Sequence, residues 1–90
     1  MRDLNELRAE IDRLDREIVP LLCTRMSASA EVAEYKRVNN LPVLDKARET
    51  TLLEKIGMTA EEKYAAYVLA IYETILAESR KYQSEILESK

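Results

Sequence analysis

The sequence contains no histidine, no tryptophan and no phenylalanine, and only one cysteine, one glycine and two prolines in 90 residues. Each shortage closes off a kind of chemistry. Without histidine there is no Ser-His-Asp or Cys-His nucleophile, and most transition-metal sites go with it. Cys23, alone, can form neither an intrachain disulfide nor a cysteine-based zinc site. Its expected role is that of a small buried apolar residue. So little glycine and proline leaves few turns and argues against a strand-rich fold. No apolar run approaches the length of a membrane span, and Met1-Arg2-Asp3-Leu4 lacks a signal-peptide core, so a reducing, cytoplasmic setting is expected.

What is present is helix-forming. Hydrophobic residues make up 47% and charged residues 34% of the chain, a mixture suited to amphipathic helices. The net charge of −3 argues against a nucleic-acid partner, because such proteins usually carry a basic surplus. Residues 1–90 read as a single domain with no linker, repeat or low-complexity segment. A core of that size is marginal for a lone chain, so oligomerisation is expected.

The chain is organised around one stretch, Asp3 to Asn39, whose apolar residues Leu4, Leu7, Ile11, Leu14, Ile18 and Leu21 recur at helical spacing. Pro20 lacks an amide hydrogen and crowds the carbonyl of Arg16, yet the apolar phase continues across it, so a bent but continuous helix is expected. Such a rod would be about 50 Å long, more than a single small chain can cover. Stepping by sevens from Leu4, Ile11 and Ile18 lands on Arg25, where a core leucine should be. Lys36, about three helical turns further on, points the same way. Two cations on an inward face are costly unless something anionic meets them, so this face reads as the wall of a site for a small anionic ligand.

Asn39-Asn40-Leu41-Pro42 signals a turn. A short second helix is expected from about Asp45, its cap, to Ile56, with Gly57 as its C-terminal stop. Thr59-Ala60-Glu61-Glu62 matches a capping box for a third helix, which should run to about Leu87. The apolar stripe of that helix is read as Tyr64, Val68, Ile71, Tyr72, Ile75, Tyr82 and Ile86, with Ser79 and Gln83 set against it.

Packing three such helices could gather Arg25, Lys36, Asp45, Arg48, Glu49, Ser79 and Gln83 around one cavity. Arg8 cannot join from the same chain, since it lies about 25 Å from Arg25 along the helix axis. A second copy running antiparallel about a two-fold axis would bring its own Arg8 there and create two equivalent sites. Each residue taken singly has an ordinary alternative. Arg8 could pair with Asp12 one turn on, Arg25 and Lys36 could neutralise Glu49 or Asp45, and Arg48 and Glu49 could be helix-surface charges. Ser79 could be a small residue at a helix crossing, and Gln83 could lie on the surface. Their joint pattern favours a site.

The chain resembles the all-helical chorismate mutase family. The matching pieces are Leu7-Arg8-Ala9-Glu10-Ile11-Asp12 with Leu14-Asp15, Arg25, Val32-Ala33 through Lys36, Pro42-Val43-Leu44-Asp45 leading to Arg48-Glu49, and Ser79 with Gln83. Pro20 and the brief Gly57-Met58-Thr59 connection depart from the pattern. The resemblance implies an all-α fold of three helices, long, short and long, intertwined in a two-fold helical-bundle homodimer. It also implies an isomerase of aromatic amino-acid biosynthesis (the shikimate pathway) that rearranges chorismate to prephenate with no metal, cofactor or covalent intermediate.

By that similarity Arg25 and the partner chain's Arg8 would clamp the substrate carboxylates, and Lys36 and Gln83 would donate to the ether oxygen. Glu49 would accept from the ring hydroxyl with Asp45 near it, while Arg48 and Ser79 would complete the polar wall. Two other readings stay open. An isochorismate-pyruvate lyase would use a similar cationic pocket, and product analysis separates it. A non-catalytic helical dimerisation or regulatory module would have no need of Lys36, Glu49 and Gln83 together.

Overall fold

The computed structural model describes residues 1–89, and those residues form three helices and no strand. α1 spans Leu4–Val38, α2 Lys46–Thr59 and α3 Glu62–Glu88. The long, short, long order expected from the apolar spacing is the order found.

α1 begins where Asp3 Oδ1 accepts from the Glu6 amide at 2.8 Å, filling a bond that no preceding turn can supply. It runs unbroken through Pro20. That stretch is exposed, so water can take up the carbonyl that proline leaves without a donor. The far end closes on Asn40, whose φ of 54° lies in the left-handed region usually reserved for glycine. The Leu41 amide then reaches back to the Lys36 carbonyl at 2.8 Å and the Asn40 amide to that of Arg37 at 3.4 Å, a Schellman closure. This turn brings the next segment back beside the last turn of α1.

α2 is capped by Asp45, whose Oδ1 accepts from the Arg48 amide at 3.0 Å. It does not stop at Gly57. Gly57 lies inside the helix without a positive φ, and its open side faces Leu69 of α3. Glycine ends a helix only where the backbone turns left-handed, and packing against α3 carries α2 on to Thr59 instead. A Cβ at Gly57 would meet Leu69 Cδ1 at 3.5 Å, an ordinary contact. Gly57→Ala is therefore expected to stabilise the fold by about 0.5–1 kcal/mol, read as a higher denaturation midpoint; a loss of stability would point to a left-handed cap at this position.

The expected capping box also fails. Thr59 is the last residue of α2 and its Oγ1 donates to the Lys55 carbonyl at 2.7 Å. With only Ala60 and Glu61 between the helices, α3 starts at Glu62, and its N-cap, Glu61, makes no side-chain capping bond.

α3 is the element on which the others meet, since α1 and α2 each pack against it and not against one another. Its inward stripe is Leu69, Tyr72, Leu76, Ser79 and Gln83, whereas Tyr64, Ile71 and Tyr82 of the expected stripe face outward. The facing stripe of α1 is Met26, Ser29, Ala33 and Lys36. Small side chains at Ser29, Ala33 and Ser79 let these helices approach closely. The most buried residues are two apolar ones, Ala33 and Leu76, and three polar ones, Ser29, Ser79 and Gln83. A centre so polar is organised for something other than stability alone.

The first half of α1 is covered by nothing in the chain. Leu4, Ile11 and Ile18 remain 58%, 55% and 48% exposed. Cys23, expected to be buried, is exposed on the same uncovered helix. No helix is long and apolar enough to cross a membrane among the described residues.

Candidate functional site

The polar residues singled out on the three helices converge on one cavity of about 330 Å³. Arg25 and Lys36 reach it from α1, Asp45 from the cap of α2, Arg48 and Glu49 from the first turn of α2, and Ser79 and Gln83 from α3. Arg8 is absent from its walls. It is exposed, and it forms no ion pair with Asp12 or any other acid among the described residues.

Lys36 is held on two sides. Its Nζ donates to the Val43 carbonyl at 2.6 Å and to Gln83 Oε1 at 3.2 Å. The first bond exists because the left-handed Asn40 turn folds Val43 back over the end of α1. An ammonium group has three hydrogens, so one remains for a ligand. Lys36 is half-buried beside these partners and does not pair with Asp45 or Glu49, so the alternative in which the acids neutralise it is not what the fold builds.

Gln83 is buried rather than on the surface. Its Nε2 donates to Ser29 Oγ at 2.8 Å, and Ser29 Oγ is hydrogen-bonded to Ser79 Oγ. Every buried side-chain polar atom among the described residues has a partner. The carboxamide keeps one N–H unused, on the same cavity as the free donor of Lys36.

Two contributors went unnoticed in the sequence. Arg80 lines the cavity and pairs with Glu49. Nothing in the spacing announces it, because it lies about 100° around α3 from Ser79 and meets Glu49 only through the α2 crossing. Ser29 did carry a signal, sitting four residues after Arg25 and seven before Lys36 on the same helical face. With Arg80 included, the wall holds four cations, Arg25, Lys36, Arg48 and Arg80, against two carboxylates, Asp45 and Glu49. The surplus of two positive charges complements a small dianion.

The profile of a family described as chorismate mutase type II matches residues 7–84, nearly the whole chain. The chain belongs to the chorismate mutase type II family. Among its relatives is a bifunctional chorismate mutase/prephenate dehydratase of Aquifex aeolicus, 42% identical over 64 residues, which are 71% of this chain and 18% of that protein. The corresponding bifunctional protein of Buchnera aphidicola from Schizaphis graminum is 34% identical over 87 residues, 94% of this chain and 23% of that one. A chorismate mutase of Methanocaldococcus jannaschii is 28% identical over 87 residues, covering 94% of this chain and 88% of that protein. The chain thus spans less than a quarter of the bifunctional relatives and most of the archaeal chorismate mutase. The chorismate mutase type II match begins at Leu7 and ends one residue after Gln83, so it takes in Arg8 and every polar residue assigned to the cavity.

Proposed function

We propose that this chain catalyses the rearrangement of chorismate to prephenate as a two-fold homodimer of single-domain subunits. The observation that carries the proposal is the pairing of Lys36 Nζ with the Gln83 carboxamide, each with a donor to spare, on a cavity with two excess positive charges. The reaction is an isomerisation. The ether C–O bond breaks while a C–C bond forms between the enolpyruvyl methylene and the ring, and the ether oxygen becomes a ketone. No proton, electron or external group is required.

The substrate carries two carboxylates and prefers an extended conformer, so the first task is to fold the side chain over the ring. Guanidinium groups suit that task because their fork meets a carboxylate with two parallel bonds. Arg25 takes one carboxylate and the partner subunit's Arg8 the other, with Arg48 and Ser79 completing the wall. Glu49, oriented by Arg80, accepts from the ring hydroxyl, with Asp45 beside it. The gain is one of orientation. As the C–O bond lengthens, negative charge grows on the ether oxygen, and Lys36 and Gln83 are aimed at that charge more than at the ground state.

Dimer formation is supported by the uncovered stripe Leu4, Leu7, Ile11, Leu14, Ile18 and Leu21. An apolar face that runs the length of a helix seeks burial, and antiparallel pairing would bring Arg8 within reach of Arg25 across a span that a single chain cannot fold over. The exposed free thiol of Cys23 suits a reducing compartment such as the cytoplasm.

The test is a cofactor-free assay in the presence of a chelator, with chorismate and isochorismate supplied separately and the products identified. Prephenate from chorismate is the expected result, and pyruvate release from isochorismate would make the protein a lyase instead. Because the second ether-oxygen donor is an amide and not a carboxyl group, turnover should not need acid. A rate climbing steeply as the pH falls towards about 5, where carboxylates begin to protonate, would overturn the assignment of Gln83.

A further inference from the structure

We propose that the Ser29 hydroxyl is a positioning group that fixes which end of the Gln83 carboxamide faces the reacting oxygen. A glutamine amide is nearly symmetric in shape and opposite in chemistry at its two ends. One end stabilises a growing negative charge and the other repels it. Lys36, which only donates, takes the carbonyl end at 3.2 Å, and Ser29 Oγ takes the amino end at 2.8 Å. The two partners, both on α1, clamp the amide in one orientation.

The hydroxyl is otherwise hard to explain. Ser29 is only 6% exposed, on the face of α1 that packs against α3, where Ala33 one turn later is fully buried with no polar side-chain atom. A buried hydroxyl is costly unless its hydrogen bonds are used. Both partners of Ser29 are cavity residues, Gln83 and Ser79. Lys36 donates to Gln83 Oε1, Gln83 Nε2 donates to Ser29 Oγ, and the Ser29 and Ser79 hydroxyls share a further hydrogen bond in which either can be the donor. Removing the Ser29 hydroxyl frees the amide to turn and releases Ser79 with it. Ser29 itself touches no reacting atom.

The kinetic consequence rests on the function proposed above, whereas the clamp on the amide does not. Gln83 is the only glutamine in the chain, so its pair of side-chain amide proton signals in nuclear magnetic resonance can be told from those of Asn5, Asn39 and Asn40 by their connection to the glutamine γ-methylene. Ser29→Ala is compared with the unaltered protein in those signals and in chorismate turnover, beside Gln83→Ala and the double variant. The expected result is faster exchange of the Gln83 amide protons, with kcat down about tenfold and KM within about twofold. On the Gln83→Ala background, Ser29→Ala should cost nothing further. An unchanged amide signal, or losses that multiply in the double variant, overturns the proposal. Failure of the unaltered protein to convert chorismate overturns the function instead, and the amide signal still decides the clamp.

Discussion

Lys36→Ala is expected to lower kcat by about 10²–10³-fold, the usual effect of removing one preorganised donor from a developing oxyanion, while the protein keeps its helical content. The size of the effect follows from how the lysine is held. Two of its three hydrogens are committed to Val43 and Gln83, so the third has little freedom of direction and no reorganisation to undergo when charge develops. The fold should tolerate the change because the lost partners, a loop carbonyl and a cavity amide, lie beside space that water can fill. KM should rise as well, since a cation is lost from a wall that matches a dianion. Steady-state kinetics with far-ultraviolet circular dichroism on the same samples checks both halves. Normal turnover in the variant would remove Lys36 from the reaction and with it the assignment of the cavity.

Two inactive variants should restore one another when mixed. Arg8→Ala lacks the arginine given to the neighbouring site, and Lys36→Ala lacks the lysine of its own site. In a mixed dimer, one site combines the intact Lys36 of one chain with the intact Arg8 of the other, while the second site lacks both. Random re-association of equal amounts makes half of the dimers mixed, with one of two sites whole in each. The mixture should therefore recover about a quarter of the unaltered activity, far above either parent. Refolding the two proteins together from denaturant and assaying against each refolded alone gives the answer. If Arg8 served its own chain, no dimer in the mixture would hold a complete site and activity would stay at the level of the parents.

The outcome turns on the uncovered half of α1. Arg8 is exposed with no acidic partner among the described residues, and the stripe running past it from Leu4 to Leu21 packs against nothing in its own chain. A surface arginine at such a place is idle in the monomer. It acquires a role only if another subunit supplies the ligand beneath it.

Much of this molecule is legible from residue order alone. A helix repeats every 3.6 residues and rises 1.5 Å per residue, so the shared direction of Arg25 and Lys36, and the distance separating Arg8 from both, follow from counting. The same holds for Ser79 and Gln83, one turn apart, and for Asp45 as the cap that starts α2 beside them. Gly57 and Thr59 carry ordinary stop and start signals, but such signals act only when the backbone has room to turn, and both residues lie within α2. With two residues between α2 and α3, continued helix packed on Leu69 satisfies more hydrogen bonds than a longer loop would.

The crossings of the helices lie beyond such counting. Which stripe of α3 turns inward, Leu76 rather than Ile71, depends on where α1 and α2 lie against it. So do the pairing of Arg80 with Glu49 and the meeting of Ser29, Ser79 and Gln83, contacts between residues 31 to 54 positions apart in the chain. Local geometry is written in every turn of a helix and can be read one residue at a time. Contacts between helices depend on how whole side-chain surfaces fit together, and only the packed structure decides them.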